Sequence, residues 1–192
     1  WVTGVQTCAL PICLNLRVAV NLSGRQFVDS LPARVSEVLA QSGFPASLLE
    51  LELTESFLVS DTDKAARILH ALRDLGVRVA LDDFGTGWSS LNYLKNFPVD
   101  TLKIDRSFIG STANDFDGRI VRAILAIARE FNLTTLAEGV ETDEQLAKLH
   151  ELGCDAWQGF LLSSPIPPDE LTDFCRLTDM AMNRFPMKQG NA

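Results

Sequence analysis

The fold is decided by the stretch Val77-Arg78-Val79-Ala80-Leu81-Asp82-Asp83-Phe84-Gly85-Thr86-Gly87-Trp88-Ser89-Ser90. Its first five residues are mostly apolar, as in a buried strand, and two adjacent carboxylates and a glycine-rich loop follow them. Adjacent aspartates in a cleft repel each other and lose hydration, so they need a strong counter-charge. A divalent ion that prefers oxygen ligands, such as Mg²⁺, Mn²⁺ or Ca²⁺, would supply it. The alternative interpretation is that Asp82 and Asp83 only end a strand and cap the next helix.

Length and composition indicate one ordinary globular domain. The chain has 192 residues, of which 46% are hydrophobic and 22% charged, and its net charge is -8. This charge argues against broad binding to DNA or to anionic membranes, which requires Lys and Arg. The four cysteines form no CxxC pair, and Cys154 and Cys175 lie in apolar contexts typical of buried free thiols. Since no apolar run reaches the length of a membrane span, we expect a soluble, cytoplasmic domain.

Strand and helix patterns alternate along the chain about six times, which is typical of an all-parallel sheet. The predicted strands are residues 14–20, 48–53, 77–81, 101–104, 133–137 and 156–161. The predicted helices are residues 31–41, 62–75, 90–96, 117–131 and 144–152, with one more from Pro167. Residues 1–13 fit neither period and are interpreted as a leader that is irregular or not native to the domain. The domain is expected over 14–186, with a disordered tail over 187–192.

Polar residues recur at the carboxyl end of every predicted strand. They are Asn21, Glu52, Asp82, Asp83, Lys103, Asp105, Glu138 and Gln158. A doubly wound sheet gathers ligands at one crevice, whereas the strand ends of a (β/α) barrel converge on one mouth. Contributions from all six strands therefore favour a TIM-like barrel, with about six strand–helix units present and the barrel incomplete.

The residue types indicate a metal-dependent site. Carboxylates and one amide are hard oxygen ligands, and two ions about 3.5–4 Å apart would suit in-line displacement at phosphorus. Lys103 is the single cation among them, and it could hold water, hold a phosphoryl oxygen, or transfer a proton with its pKa lowered by the metals. A one-metal enolising enzyme with a lysine base remains an alternative on these grounds.

Six ordered motifs resemble the EAL family of cyclic di-GMP phosphodiesterases, from about residue 14 to residue 174. The motifs are Asn21-Leu22-Ser23, Glu52-Leu53-Thr54-Glu55, Leu81-Asp82-Asp83-Phe84-Gly85-Thr86-Gly87, Leu102-Lys103-Ile104-Asp105, Ala137-Glu138-Gly139-Val140-Glu141 and Gln158-Gly159. The resemblance implies a TIM-like barrel that uses two Mg²⁺ or Mn²⁺ ions to convert cyclic di-GMP to linear pGpG. It also implies a homodimer, and sensory or signalling domains in the parent protein, which could tether it to a membrane.

The resemblance also assigns roles to residues. Asn21, Glu52 and Asp82 would bind one metal ion, and Asp82 would bridge to a second ion held with Asp83. Glu138 would lie close by, Lys103 would position the attacking water, and Gln158 would complete the contacts. Glu55 would anchor the loop after Asp83. The loop residues that would couple the site to dimerisation are Phe84, Gly85, Thr86, Gly87, Trp88, Ser89 and Ser90.

The chain departs from the family pattern at its beginning. The Glu-Ala-Leu motif and the following Arg are absent before Leu14, which removes one metal ligand and one phosphate contact. We therefore expect this polypeptide to bind Mn²⁺ poorly and to hydrolyse cyclic di-GMP slowly or not at all. An open sheet would expose two edges, so we also expect a dimer or aggregation. Two alternatives are a non-catalytic cyclic di-GMP receptor and a metal-dependent barrel enzyme acting on a carboxylate.

Overall fold

The structure, a computed structural model, describes residues 16–54, 61–86, 91–110, 117–167 and 169–174, without the side chains of 91–93. One compact unit comprises Leu16–Leu162. The second comprises Trp1–Asn15 and Ser163–Ala192, and its described part contains a helical turn at residues 171–174. The predicted leader 1–13 and tail 187–192 lie outside the described residues, so the boundaries of the 14–186 domain stay predictions.

Strands and helices alternate through the first unit. The strands are β1 (Val18–Asn21), β2 (Leu49–Thr54), β3 (Arg78–Phe84), β4 (Thr101–Ile104), β5 (Thr134–Ala137) and β6 (Ala156–Trp157). The helices are α1 (Leu31–Ser42), α2 (Thr62–Asp74), α3 (Leu91–Asn96), α4 (Arg106–Ile109), α5 (Gly118–Glu130) and α6 (Asp143–Leu152). Within these described parts, no helix combines the length and the apolar character that a bilayer crossing requires.

The six strands form one sheet in sequence order, from β1 to β6, and every neighbouring pair is parallel. Parallel neighbours need a crossover connection, and helices supply it here, as in a (β/α) barrel. This arrangement confirms the predicted fold class, an incomplete TIM-like barrel with about six strand–helix units. The short helix α4, directly after β4, was missed by the sequence analysis.

The apolar core lies between the outer face of the sheet and the helices. Alternate residues of the strands supply one side of it, including Leu51, Leu53, Val79, Leu102 and Ile104. The helices supply the other side with residues at helical spacing, such as Ile68, Leu69 and Leu72 of α2 and Val121, Ile124 and Leu125 of α5. Burial of this outer face leaves the inner face of the sheet free to carry polar residues.

The inner face carries a buried charged layer near the amino ends of the strands. The side chain of Glu50 is 5% exposed, and its Oε2 lies 3.6 Å from Arg17 Nη1 and 3.4 Å from Arg78 Nε. The hydroxyl of Thr101 donates to the same oxygen at 3.0 Å. Because burial of a carboxylate is costly unless it is paired, these partners stabilise Glu50 below the mouth of the sheet.

The last strand is shorter than predicted. The apolar run 156–161 predicted a strand, but β6 covers only Ala156–Trp157 and the chain then turns. Gly159 approaches the backbone of Val140 so closely that a Cβ there would overlap the Val140 oxygen. Leu161 N donates to that same oxygen at 3.0 Å, so the run folds over the preceding loop instead of extending.

Truncation of a core residue tests this packing. Leu69 of α2 is fully buried, so Leu69→Ala should lower the free energy of unfolding by about 2–5 kcal/mol in urea titrations. The control is Val38→Ala on α1, since Val38 is 57% exposed and its loss should change stability by less than about 0.5 kcal/mol. Equal losses in the two variants would contradict the assigned core.

Candidate active site

Lys103 lies on the inner face of β4 at the centre of a buried charge cluster. Its Nζ is 2.7 Å from Glu138 Oε1, 2.8 Å from Glu52 Oε2 and 3.0 Å from Asp82 Oδ1. The lysine side chain is 4% exposed, and the three carboxylates come from β2, β3 and the residue after β5. The ammonium therefore has a carboxylate partner for each of its three hydrogens.

The three carboxylates raise the pKa of Lys103 and so favour its charged form. Burial acts to lower the pKa, but the hydrogen bonds to Glu138, Glu52 and Asp82 outweigh burial and hold it well above the ordinary lysine value. The proton-transfer role predicted from the sequence needs bound metals to lower this pKa, so it stays a prediction. Paired with these carboxylates, Lys103 is a cation, which suits it to binding an anion or orienting a water.

A β-bulge brings both aspartates to the site. Ala80 and Leu81 of β3 pair with Thr101 and Leu102 of β4, but the next pair is Phe84 with Ile104. Asp82 and Asp83 together therefore lie opposite Lys103, where a regular strand would place one residue. Because successive side chains of a regular strand point to opposite faces, the bulge is needed to direct two adjacent carboxylates to one mouth.

Asp83 has an unusual backbone, with φ of 54°. Asp is one of the few residues other than Gly that adopts this left-handed region, and its amide donates to Asp82 Oδ1 at 3.1 Å. Burial first, and then the charges of Asp82 and Asp105, raise the pKa of Asp83. Burial also acts on Asp105, but hydrogen bonds from Ser107 bring the pKa of Asp105 below its ordinary value. This crowding of acids is the condition that a divalent cation relieves.

Glu138 follows β5 and is fixed at both its backbone and its side chain. Its amide donates to Ile104 O at 3.0 Å, and its Oε1 accepts from Gln158 Nε2 at 2.9 Å as well as from Lys103. Burial is the largest influence on its pKa, which is raised despite the bonds from Lys103. Gln158, although exposed, thus orients the carboxylate of Glu138.

The residues present fit a divalent metal ion. Oxygen atoms of Asp82, Asp83 and Glu138 all lie within 4.8 Å of one another. Carboxylate oxygens are the ligands that Mg²⁺, Mn²⁺ and Ca²⁺ prefer, and neither His nor Cys belongs to this group of ligands. The three side chains can therefore hold such an ion with little rearrangement.

The other predicted site residues are placed less centrally or lie outside the described residues. Asn21 ends β1 opposite Glu52 in the register, but it is exposed, and among the described residues no hydrogen bond joins its side chain to the carboxylates. Of the predicted coupling loop, Phe84 is buried and the Thr86 hydroxyl donates to Asp83 O at 2.8 Å. Glu55 and the loop residues Gly87, Trp88, Ser89 and Ser90 lie outside the described part of the chain.

The sequence analysis did not identify Gln145. This residue of α6 is fully buried, and its amide group contacts the loop that follows Glu138. A signal was available, since Thr142-x-x-Gln145 has the form of a capping box, and the structure contains that motif.

The predicted free thiol of Cys154 is present, but it is half-buried. Burial raises its pKa, so the reactive thiolate is scarce at neutral pH. Cys175, the other predicted buried thiol, lies outside the described residues.

Comparison with known proteins gives a consistent result. A family model described as EAL domain matches residues 10–165. The cyclic di-GMP phosphodiesterase NbdA of Pseudomonas aeruginosa is 47% identical over 164 residues, which cover 84% of this chain and 21% of NbdA. The chain spans about a fifth of the length of the curated relatives that it matches.

Solved structures are also similar. The PaMucR phosphodiesterase in complex with c-di-GMP is 45% identical with a TM-score of 0.75, and the match covers 81% of this chain and 64% of that one. BlrP1 of Klebsiella pneumoniae, in its manganese and cy-diGMP complex, is 29% identical with a TM-score of 0.70. That match covers 78% of this chain and 39% of BlrP1.

Removal of the central cation should destabilise the protein in the absence of metal. Lys103→Met leaves three carboxylates facing one another, and the loss of one partner from a buried ion pair costs about 3–5 kcal/mol of unfolding free energy. The measurement is urea denaturation in EDTA. Lys64→Met is the control, because Lys64 pairs at the surface with Asp29 at 3.8 Å and the loss of such a pair should cost less than about 1 kcal/mol. Similar costs would contradict the central role of Lys103.

Proposed function

The chain belongs to the EAL domain family, as its motifs predicted, and from this membership we propose that it hydrolyses cyclic di-GMP to linear pGpG at the mouth of its sheet, at the slow rate expected from its sequence. The observation that carries the proposal is the convergence of Glu52, Asp82 and Glu138 on one buried lysine. Acids crowded together in this way bind divalent cations, and a fixed cation beside them suits a phosphodiester substrate.

The geometry and the family membership both support the proposed metal-binding residues. Asp82, Asp83 and Glu138 have oxygens close enough to share an ion, and Glu52 reaches the same cluster through Lys103. Asn21, opposite Glu52 in the register, would hold a first ion together with Glu52 and Asp82, and Asp82 and Asp83 would hold a second. Two ions, Mg²⁺ or Mn²⁺, would polarise a phosphoryl oxygen and activate water when bound.

The reaction proposed is a displacement at one phosphorus of the cyclic dinucleotide. The oxygen of water bonds to phosphorus, the bond from phosphorus to the ribose 3′ oxygen breaks, and that oxygen takes up a proton. The product then carries a 5′ phosphate, as linear pGpG requires. Once one of its three carboxylate partners turns toward an ion, Lys103 Nζ would be able to donate a hydrogen bond that orients the water or a phosphoryl oxygen. Gln158 keeps Glu138 turned toward the site.

Regulation is proposed to reach the site through the segment after Asp83. Thr86 is bonded to the Asp83 carbonyl, and a Cβ on Gly85 would lie 3.2 Å from Ile124 and 3.3 Å from Phe108. A displacement of α4 or α5 would therefore move the backbone of Asp83. The loop Phe84–Ser90, anchored by Glu55, would in this way couple the site to a homodimer and to signalling domains in a cytoplasmic parent protein.

Hydrolysis and binding are tested together on the full chain. With Mn²⁺ and a stoichiometric amount of protein, which detects slow turnover, chromatography should show cyclic di-GMP converted to pGpG. Asp82→Asn removes the carboxylate shared by the lysine and the proposed ions, and should reduce the rate by at least about a hundredfold. Glu130→Gln, an exposed change on α5, is the control and should retain the rate.

Two other outcomes decide against hydrolysis. Tight binding of cyclic di-GMP without turnover would indicate the receptor function instead. Neither binding nor turnover, in a protein that is folded by circular dichroism, would contradict both functions and favour a different substrate.

A further inference from the structure

We propose that Gln145 is a positioning residue that holds the Glu138 loop, residues 138–142, in its metal-binding form by tying it to the end of α4. This inference rests on the function proposed above, since it concerns how one ligand of that site is kept in place. Gln145 does not contact the proposed site itself and acts through the backbone of the loop.

The side chain of Gln145 is hydrogen-bonded at both its oxygen and its nitrogen, and the residue is entirely buried. Its Oε1 accepts from Glu141 N at 2.7 Å and from Thr142 N at 2.9 Å, and its Nε2 donates to Gly110 O at 2.7 Å. The residue is 0% exposed, so water cannot replace these partners without a change in the packing. One side chain thereby ties the loop to Gly110, which is 35 residues from Gln145 in sequence.

The Glu138 loop is held at both ends, and Gln145 forms the second end. At the first end, Glu138 N donates to Ile104 O at 3.0 Å and Val140 N donates to Gln158 O at 3.1 Å. At the second, the next two amides both donate to Gln145. Without Gln145, the amides of Glu141 and Thr142 would lose their shared acceptor, and the end of the loop away from β5 would be less firmly held.

The partner segment begins beside Lys103. Asp105 caps the short helix α4, and Gly110, which follows α4, offers the carbonyl that Gln145 binds. Gly139 in the loop has φ of 68° and lies so close to α4 that a Cβ there would be 2.6 Å from Arg106 Cβ. The lysine strand and the Glu138 loop are therefore joined twice, once through Glu138 itself and once through Gln145.

The contacts go beyond what capping of α6 requires. A capping box needs Thr142 Oγ1 to accept from Gln145 N, here at 3.2 Å, and the Gln145 side chain to accept from Thr142 N. The bonds to Glu141 N and Gly110 O add nothing to the helix, and they are the ones that reach the loop and α4. Capping and positioning can thus be separated by mutation.

The test compares Gln145→Glu with Thr142→Ala in the full chain. Gln145→Glu keeps an acceptor for Glu141 and Thr142 but turns the donor to Gly110 O into a repelling oxygen. Thr142→Ala weakens the same helix cap and leaves the Gln145 side chain intact. Mn²⁺ binding, followed by electron paramagnetic resonance up to millimolar concentration, should weaken about tenfold in Gln145→Glu, as for loss of outer support to a metal ligand. In Thr142→Ala, the Mn²⁺ affinity should stay within about twofold of that of the parent chain, which is well below the tenfold loss expected for Gln145→Glu.

A second readout needs no metal. Hydrogen exchange of peptides covering 138–142 should accelerate in Gln145→Glu but not in Thr142→Ala. If Gln145→Glu does not fold, Gln145→Ala replaces it and should show the same acceleration. Equal exchange and equal Mn²⁺ affinity in the Gln145 and Thr142 variants would reduce Gln145 to a helix cap and overturn the inference. Absence of Mn²⁺ binding by the parent chain would instead count against the proposed metal site, and exchange would then decide the role of Gln145.

Discussion

The ammonium of Lys103 is the group on which the rest of this site depends. Three carboxylates on neighbouring strand ends repel one another, and here they lie close together because all three pair with the Lys103 ammonium between them. The barrel-like parallel sheet supplies the geometry, because it brings the carboxyl ends of its strands to one mouth. The lysine supplies the charge balance, and its raised pKa keeps it charged over the range in which the carboxylates are ionised.

The irregular features of the fold serve the same cluster. The β-bulge in β3 directs Asp82 and Asp83 to one side and then returns Phe84 to the apolar core. Close approaches at Gly139 and Gly159, where a side chain would overlap neighbouring atoms, keep the Glu138 loop against α4 and the residues after β6. Strain and close packing are thus concentrated where acids must be held together, which is typical of functional sites.

Much of this could be predicted from the sequence, because parallel strands obey simple rules. Alternating strand and helix patterns located the six strands, and polar residues at their ends identified the cluster around Lys103. The end of β6 was wrong, since periodicity cannot detect that Gly159 must pack on the Val140 backbone. The bulge was missed too, although Phe84 after two aspartates breaks the alternation of a regular strand. The Gly110 contact of Gln145 joins distant segments, so no local pattern indicates it.

The measurement that tests the account most directly is anomalous diffraction from crystals of this chain soaked in Mn²⁺. The account predicts anomalous density among Asp82, Asp83 and Glu138, at about 2.0–2.2 Å from their carboxylate oxygens, with Lys103 beside it. Ordered carboxylates with Lys103 still paired to all three, and manganese density elsewhere or nowhere, would contradict it.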